Sequence, residues 1–226
     1  MNPPGPTLLT VKTIEDLRGP EGRLEALLNT GAPGARYSVL VCHPHPLGGG
    51  TMHNKVVYHT MKAFQAFGLP VLRFNFRGTG LSEGEHDHGR GEQDDVRAAL
   101  DWLHREFHLP ILFAGFSFGS YVGMSVCCGD ARVAGLAALG LPVHAEGRDY
   151  RYEFLSACAT PKLFISGTRD QYGPRAKVES VVAAAAPPKE IVWIEGADHF
   201  FAGKLDQVQR AIREWCEARF LPTAVS

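Results

Sequence analysis

A chain that places a glycine two residues before and two residues after a single serine gives up backbone order on both sides of it. The segment ILFAGFSFGS, residues 111–120, does this: Ser117 stands at the centre of Gly115-Phe116-Ser117-Phe118-Gly119. A serine hydroxyl is a weak nucleophile until a base takes its proton. A histidine base in turn needs an acid to fix its tautomer and stabilise its charged form. Downstream of Ser117 the histidines are His144 and His199. His199, in EGADHFF, follows an apolar run and precedes the final helix-like segment, which makes it the candidate base. His144 comes too early for that role and is placed to line a pocket. For the acid, Asp170 in FISGTRDQYGP follows the apolar run Lys162–Gly167 by a few residues. Asp198 adjoins His199 and points elsewhere, and Asp149 and Glu153 precede that run and are weaker choices. Asp170 could instead cap a turn ahead of Pro174.

The elements that must position these groups can be read from periodicity. Residues 7–17 and 23–29 read as an opening strand pair joined by the Gly19-Pro20-Glu21-Gly22 turn. Further strands are expected at 38–42, 71–76, 111–115, 133–141, 162–167 and 190–195, with helices at 54–67, 92–107, 117–128, 174–186 and 204–220. Alternating β and α segments imply a mostly parallel, eight-stranded sheet with helices on both faces. In such sheets chemistry sits in loops at the carboxyl ends of strands. Ser117, Asp170 and His199 each follow a strand of their own. The G-x-S-x-G pattern directly after a strand and before a helix is the context of a strained nucleophile elbow. The helix beginning there offers free N–H groups to a developing oxyanion.

Composition limits the rest. With 226 residues, 45% hydrophobic and 21% charged, the chain is sized for one domain with a sizeable core. Its formal net charge of -1 and the lack of long charged runs argue against nucleic acid or an anionic membrane as partner. The N-terminal MNPPGPTLLT has no signal-peptide pattern, so the expected location is cytoplasmic. The five cysteines, Cys42, Cys127, Cys128, Cys158 and Cys216, are odd in number and lack CxxC spacing, so they are expected to be buried free thiols.

On HPHPLGGGTMHNKV (43–56), RFNFRGTGLSEGEHDHGRGEQDD (73–95), AGFSFGSYVG (114–123), ISGTRDQYGP (165–174) and GADHFFAGK (196–204), the chain resembles the α/β-hydrolases. Within them it is most similar to the small, lidless, dienelactone-hydrolase-like bacterial hydrolases and esterases. The resemblance implies hydrolysis of esters or related acyl bonds through an acyl-enzyme, with Ser117 as nucleophile, His199 as base and Asp170 as orienting acid. It also implies that the backbone N–H of Phe118 gives one oxyanion donor and the loop 43–50 the other. Pro44 and Pro46 have no N–H, which leaves His45 or Leu47. A Cys nucleophile occurs in dienelactone-cleaving relatives, so a serine favours an esterase.

Other readings of the same residues are weaker. His43, His45 and His53 cluster without a carboxylate or thiolate at ligand spacing, so no metal is expected. Gly78-Thr79-Gly80 lacks the third glycine of a dinucleotide fingerprint at position 83, and no cofactor is expected. His86-Asp87-His88 suits a polar network around that glycine-rich loop, with Arg77 and Glu92 as candidate ion partners. Residues 142–161 leave no room for a large cap domain, so the site should be open and shallow. Phe116, His144, Tyr172 and Phe200 are candidate pocket residues, with Phe201 and Phe118 nearby; the Phe118 ring is expected near that of Phe116. The expected activity is carboxylester hydrolysis of small soluble short-acyl or aryl esters by a monomer or homodimer. Lactones, thioesters and peptide-like amides are alternatives, as is a ligand-binding protein that retains a hydrolase pocket.

Overall fold

In the computed structural model, residues 10–144, 148 and 150–221 are described. Asp149 and residues 7–9 of the expected first strand lie outside them. The strands are β1 (Val11–Ile14), β2 (Arg18–Gly19), β3 (Gly22–Arg23), β4 (Ala26–Asn29), β5 (Ser38–Cys42), β6 (Val71–Phe74), β7 (Ile111–Phe116), β8 (Val133–Leu139), β9 (Lys162–Gly167) and β10 (Lys189–Ile194). The helices are α1 (Lys55–Gln65), α2 (Gly91–Phe107), α3 (Phe118–Cys127), α4 (Arg175–Ala184) and α5 (Leu205–Arg219).

Eight strands form one sheet in the order β1-β4-β6-β5-β7-β8-β9-β10, and β2 and β3 form a separate two-stranded ribbon. The pairs β1–β4 and β4–β6 are antiparallel, and all later pairs are parallel. The central strands β5, β7 and β9 are buried along their whole length. Their unbroken apolar runs reflect cover on both faces rather than the alternation of a half-exposed sheet. On one face α1 and α5 bury Val57, Met61, Phe64, Val208, Ile212 and Trp215. On the other, α2, α3 and α4 bury Val96, Leu100, Leu103, Val122 and Val178.

The expected first strand is shorter than its apolar pattern. The Gly19–Gly22 turn closes its own ribbon, and the Leu24 N–H bonds to the Leu17 carbonyl, so only β1 and β4 join the main sheet. The expected strand 71–76 stops at Phe74, because the Phe76 N–H leaves the ladder for His43 Nε2 at 3.0 Å. The expectation of free thiols is corrected at one pair: Cys128 and Cys158 are disulfide-bonded, whereas Cys42, Cys127 and Cys216 are free and buried. Among the described residues no helix is long and apolar enough to cross a membrane.

Candidate active site

Ser117 sits between β7 and α3 with φ 53° and ψ −123°, a left-handed conformation that costs a non-glycine residue on the order of 1 kcal/mol or more. The flanking glycines permit it sterically. A Cβ on Gly115 would lie 2.5 Å from the Gly119 carbonyl oxygen, and a Cβ on Gly119 would lie 2.7 Å from the Cys42 carbonyl oxygen. Both contacts are with backbone, which cannot swing aside. The Ser117 N–H is held by the Leu139 carbonyl at 2.9 Å, and the Ser120 hydroxyl donates to the Ser117 carbonyl at 2.6 Å. The hydroxyl therefore stands at the start of a helix in a fixed direction.

Two further loops meet it. Asp170, three residues past β9, lies with Oδ2 2.8 Å from His199 Nδ1, and His199 Nε2 lies 2.9 Å from Ser117 Oγ. Asp170 Oδ1 accepts the N–H groups of Tyr172 at 2.8 Å and Gly173 at 3.0 Å. Asp170 thus caps a turn and orients an imidazole with different oxygens. The Arg169 N–H bonds to the Ala197 carbonyl at 2.9 Å, which ties the acid loop to the histidine loop. The His199 ring is enclosed by Tyr172, Phe116 and Phe200, with centroids at 4.7, 5.1 and 5.3 Å. All three polar side chains are at least nine-tenths buried. Asp198 turns away, its carboxylate accepting the Phe200 and Ala202 N–H groups. Glu153 is exposed at the start of a short 3-10 turn.

The loop after β5 is set by His43. Its Nδ1 donates to the Pro44 carbonyl at 2.6 Å and its Nε2 accepts the Phe76 N–H. Both ring nitrogens are committed, which leaves none for a metal. Burial lowers its pKa from 6.5 to about 4, so the ring is neutral near neutrality. The Leu47 N–H is spent on His45 Nδ1 at 3.2 Å, capping the turn Pro46–Gly48, and the Leu47 side chain is exposed. Leu47 is therefore corrected as an oxyanion donor. Among the described residues neither the His45 N–H nor the Phe118 N–H has a protein acceptor.

The cleft beside Ser117 has a volume of about 180 Å³ and is bordered by His45, Gly49, Asn54, Arg148, Tyr150, Tyr172 and Phe200. Tyr172 and Phe200 border it as expected. Phe116 and His144 do not: Phe116 is buried beneath His199, and His144 is exposed, its N–H bonded to the Tyr172 carbonyl. The Phe118 ring lies away from Phe116, packed against His45 at 4.7 Å and Phe76 at 5.7 Å. Arg148 and Tyr150 carry no motif, Asn54 lies in the 43–56 motif, and none of the three is among the expected pocket residues. In the network around the glycine-rich loop Glu92 is an ion partner as expected, its Oε1 2.6 Å from His86 Nδ1, whereas Arg77 turns to Asp95. Arg77 forms a bidentate bond with Asp95, while the buried Glu92 accepts the Asp87 and Gly89 N–H groups. Burial raises the pKa of Cys42, Cys127 and Cys216, the last to about 12, so none of these thiols supplies a thiolate near neutrality.

A family model for an alpha/beta hydrolase domain matches residues 36–217. An uncharacterized protein of Rickettsia prowazekii is 35% identical over 204 residues, covering 87% of this chain and 85% of its own length. The structure of an alpha-beta serine hydrolase homologue from Coxiella burnetii is 38% identical, with a TM-score of 0.79 over 91% of this chain and 96% of that one. An a/b serine hydrolase without lid from Xanthomonas campestris is 32% identical, with a TM-score of 0.82 over 99% of this chain and 100% of that one. The strained serine, its two buried partners and these matches together place the chain in the alpha/beta hydrolase family.

Proposed function

We propose that the chain is a serine carboxylesterase that cleaves small, soluble esters through an acyl-enzyme. The observation that carries this reading is the continuous hydrogen-bond chain from Asp170 through His199 to Ser117 Oγ, at 2.8 and 2.9 Å. In the proposed cycle His199 Nε2 takes the hydroxyl proton as Ser117 Oγ attacks the ester carbonyl. Asp170 Oδ2 keeps the proton of His199 on Nδ1 and stabilises the imidazolium that forms. The oxyanion is received by the N–H groups of Phe118 and His45, both lacking an acceptor among the described residues. His199 then protonates the leaving alcohol, and water repeats the sequence to release the acid. The part of the cleft directly beside Ser117, about 180 Å³, supports a short acyl or single-ring group at the reacting carbonyl.

The test is release of 4-nitrophenol from its acetate and butyrate. Turnover by the native protein with near-complete loss in Ser117→Ala supports the reading, and an unchanged rate in that variant overturns it.

A further inference from the structure

The cleft beside Ser117 adjoins a second lobe of about 490 Å³, and the two share His45, Arg148 and Tyr150 in their linings. The second lobe is further lined by His88, Arg90, Gln93 and Tyr121. Three of these features bear on what the lobe would hold. Its titratable lining is entirely basic or phenolic, with no carboxylate among the described lining residues, in a chain whose net charge is -1. Arg90 is already paired with Asp87 at 3.2 Å on the surface, which leaves Arg148 as the cation common to both lobes. At the boundary, burial first and then the neighbouring Arg148, His86 and His88 lower the pKa of His45 from 6.5 to about 4.

The aromatic part of the wall beside Arg148 is packed in place. Arg148 lines both lobes together with Tyr150, two residues further along the chain. The Tyr150 ring packs on Tyr121 of α3 at 5.0 Å, and Tyr152 packs on the same ring at 5.4 Å while donating to the Pro142 carbonyl at 2.7 Å. Tyr121 lies one helical turn from Ser117 on the helix that begins beside it, so the aromatic wall shared by the two lobes is referenced to the reacting atom.

We propose that this lobe is an anion-binding subsite, that Arg148 is its specificity-determining residue, and that the preferred substrate is an ester bearing a second group with charged oxygens, a carboxylate or phosphate. This rests on the ester-hydrolase reading above. A planar, permanently charged guanidinium is suited to bidentate recognition of either group. Gln93, which lines the same lobe, adds a neutral amide donor.

The experiment compares kcat/KM for matched esters. On the alcohol side, 4-acetoxybenzoate and 4-acetoxyphenyl phosphate are set against 4-acetoxybenzamide. On the acyl side, the mono-4-nitrophenyl ester of adipic acid is set against 4-nitrophenyl hexanoate. At least one charged ester is expected to exceed its neutral match by about tenfold, the effect of one charge-assisted hydrogen bond at a partly exposed site. The ratio should fall toward one in Arg148→Gln, survive largely in Arg148→Lys, and shrink with added salt. Which probe leads tells carboxylate from phosphate and acyl from alcohol side.

The subsite is overturned if no charged ester is preferred, or if Arg148→Gln lowers charged and neutral rates alike; Ser117-dependent turnover of the neutral esters would still stand. If no ester is turned over, the hydrolytic reading fails. The subsite is then decided by calorimetry on Ser117→Ala protein: it stands only if 4-acetoxybenzoate or 4-acetoxyphenyl phosphate binds about tenfold tighter than 4-acetoxybenzamide.

Discussion

Substituting Asp170 by Asn and by Ala separates its two jobs. Oδ1 satisfies two backbone donors, the N–H groups of Tyr172 and Gly173, while Oδ2 faces His199 Nδ1. An asparagine has only one oxygen. Two N–H donors compete for it against one, so the oxygen stays on the turn and the amide nitrogen faces Nδ1. That donor makes Nδ1 the acceptor and moves the ring proton to Nε2, where it meets Ser117 Oγ at 2.9 Å and blocks proton uptake. The expected loss in kcat is about 10⁴, the effect of imposing the wrong tautomer on a serine-activating histidine, equivalent to about 5 kcal/mol of barrier. Folding stability should change little, because both turn bonds persist. Asp170→Ala removes the acceptor altogether and leaves two N–H groups unpaired, at about 1–3 kcal/mol each when buried. It should therefore lose both activity and about 2–5 kcal/mol of stability. The assays are kcat on 4-nitrophenyl butyrate and urea unfolding midpoints. An Asn variant that keeps more than about a tenth of native kcat, or an Ala variant as stable as native, would refute this division of labour.

Other perturbations follow from the same geometry. Gly119→Ala drives a Cβ into the Cys42–His43 backbone at the end of β5, so the elbow must shift. Expected are about 1–3 kcal/mol of lost stability and a drop of about a hundredfold in kcat/KM, read by denaturant titration and steady-state kinetics; native-like values in both would contradict the packing. His43, neutral and buried with a pKa lowered from 6.5 to about 4, takes up a proton on unfolding. Its contribution is complete above about pH 6.5 and is lost as pH falls toward about 4, amounting to about 2 kcal/mol by pH 5. His43→Gln should lower stability at neutral pH yet flatten its fall between pH 7 and 5, and an unchanged slope would count against a buried neutral imidazole.

Much of the fold could be read from residue pattern because central parallel strands advertise themselves. SVLVC, ILFAGF and KLFISG are apolar runs that two covering layers demand, and α1 and α5 show the spacing of one-sided burial. Ser117, Asp170 and His199 were readable for a related reason: each follows a strand of its own, and the sheet brings strand ends together. What failed was local direction. Phe116 flanks the serine in sequence, but side chains alternate along β7, so it enters the core below His199. Leu47 has a free N–H by composition, yet the fold of its turn turns that N–H onto the His45 ring. Of the two ion partners expected for the 86–88 network, Glu92 pairs with His86 and accepts loop N–H groups, while Arg77 is taken by Asp95 on α2, which no spacing in the sequence singles out. Arg148 and Tyr150 belong to an aperiodic connection, and Tyr150 packs on Tyr121 through a contact that exists only in three dimensions. The bond between Cys128 and Cys158, 30 residues apart, has no spacing signature.

The central claim is that Ser117 carries the acyl group. Rapid mixing with 4-nitrophenyl acetate, followed by an acid quench, peptide digestion and mass spectrometry, tests it directly. The account predicts a burst approaching one equivalent of 4-nitrophenol per chain, with acetyl on Ser117 alone and neither burst nor adduct in Ser117→Ala. Turnover with an unmodified Ser117, or with the acetyl group on another residue and kinetically competent, would contradict it.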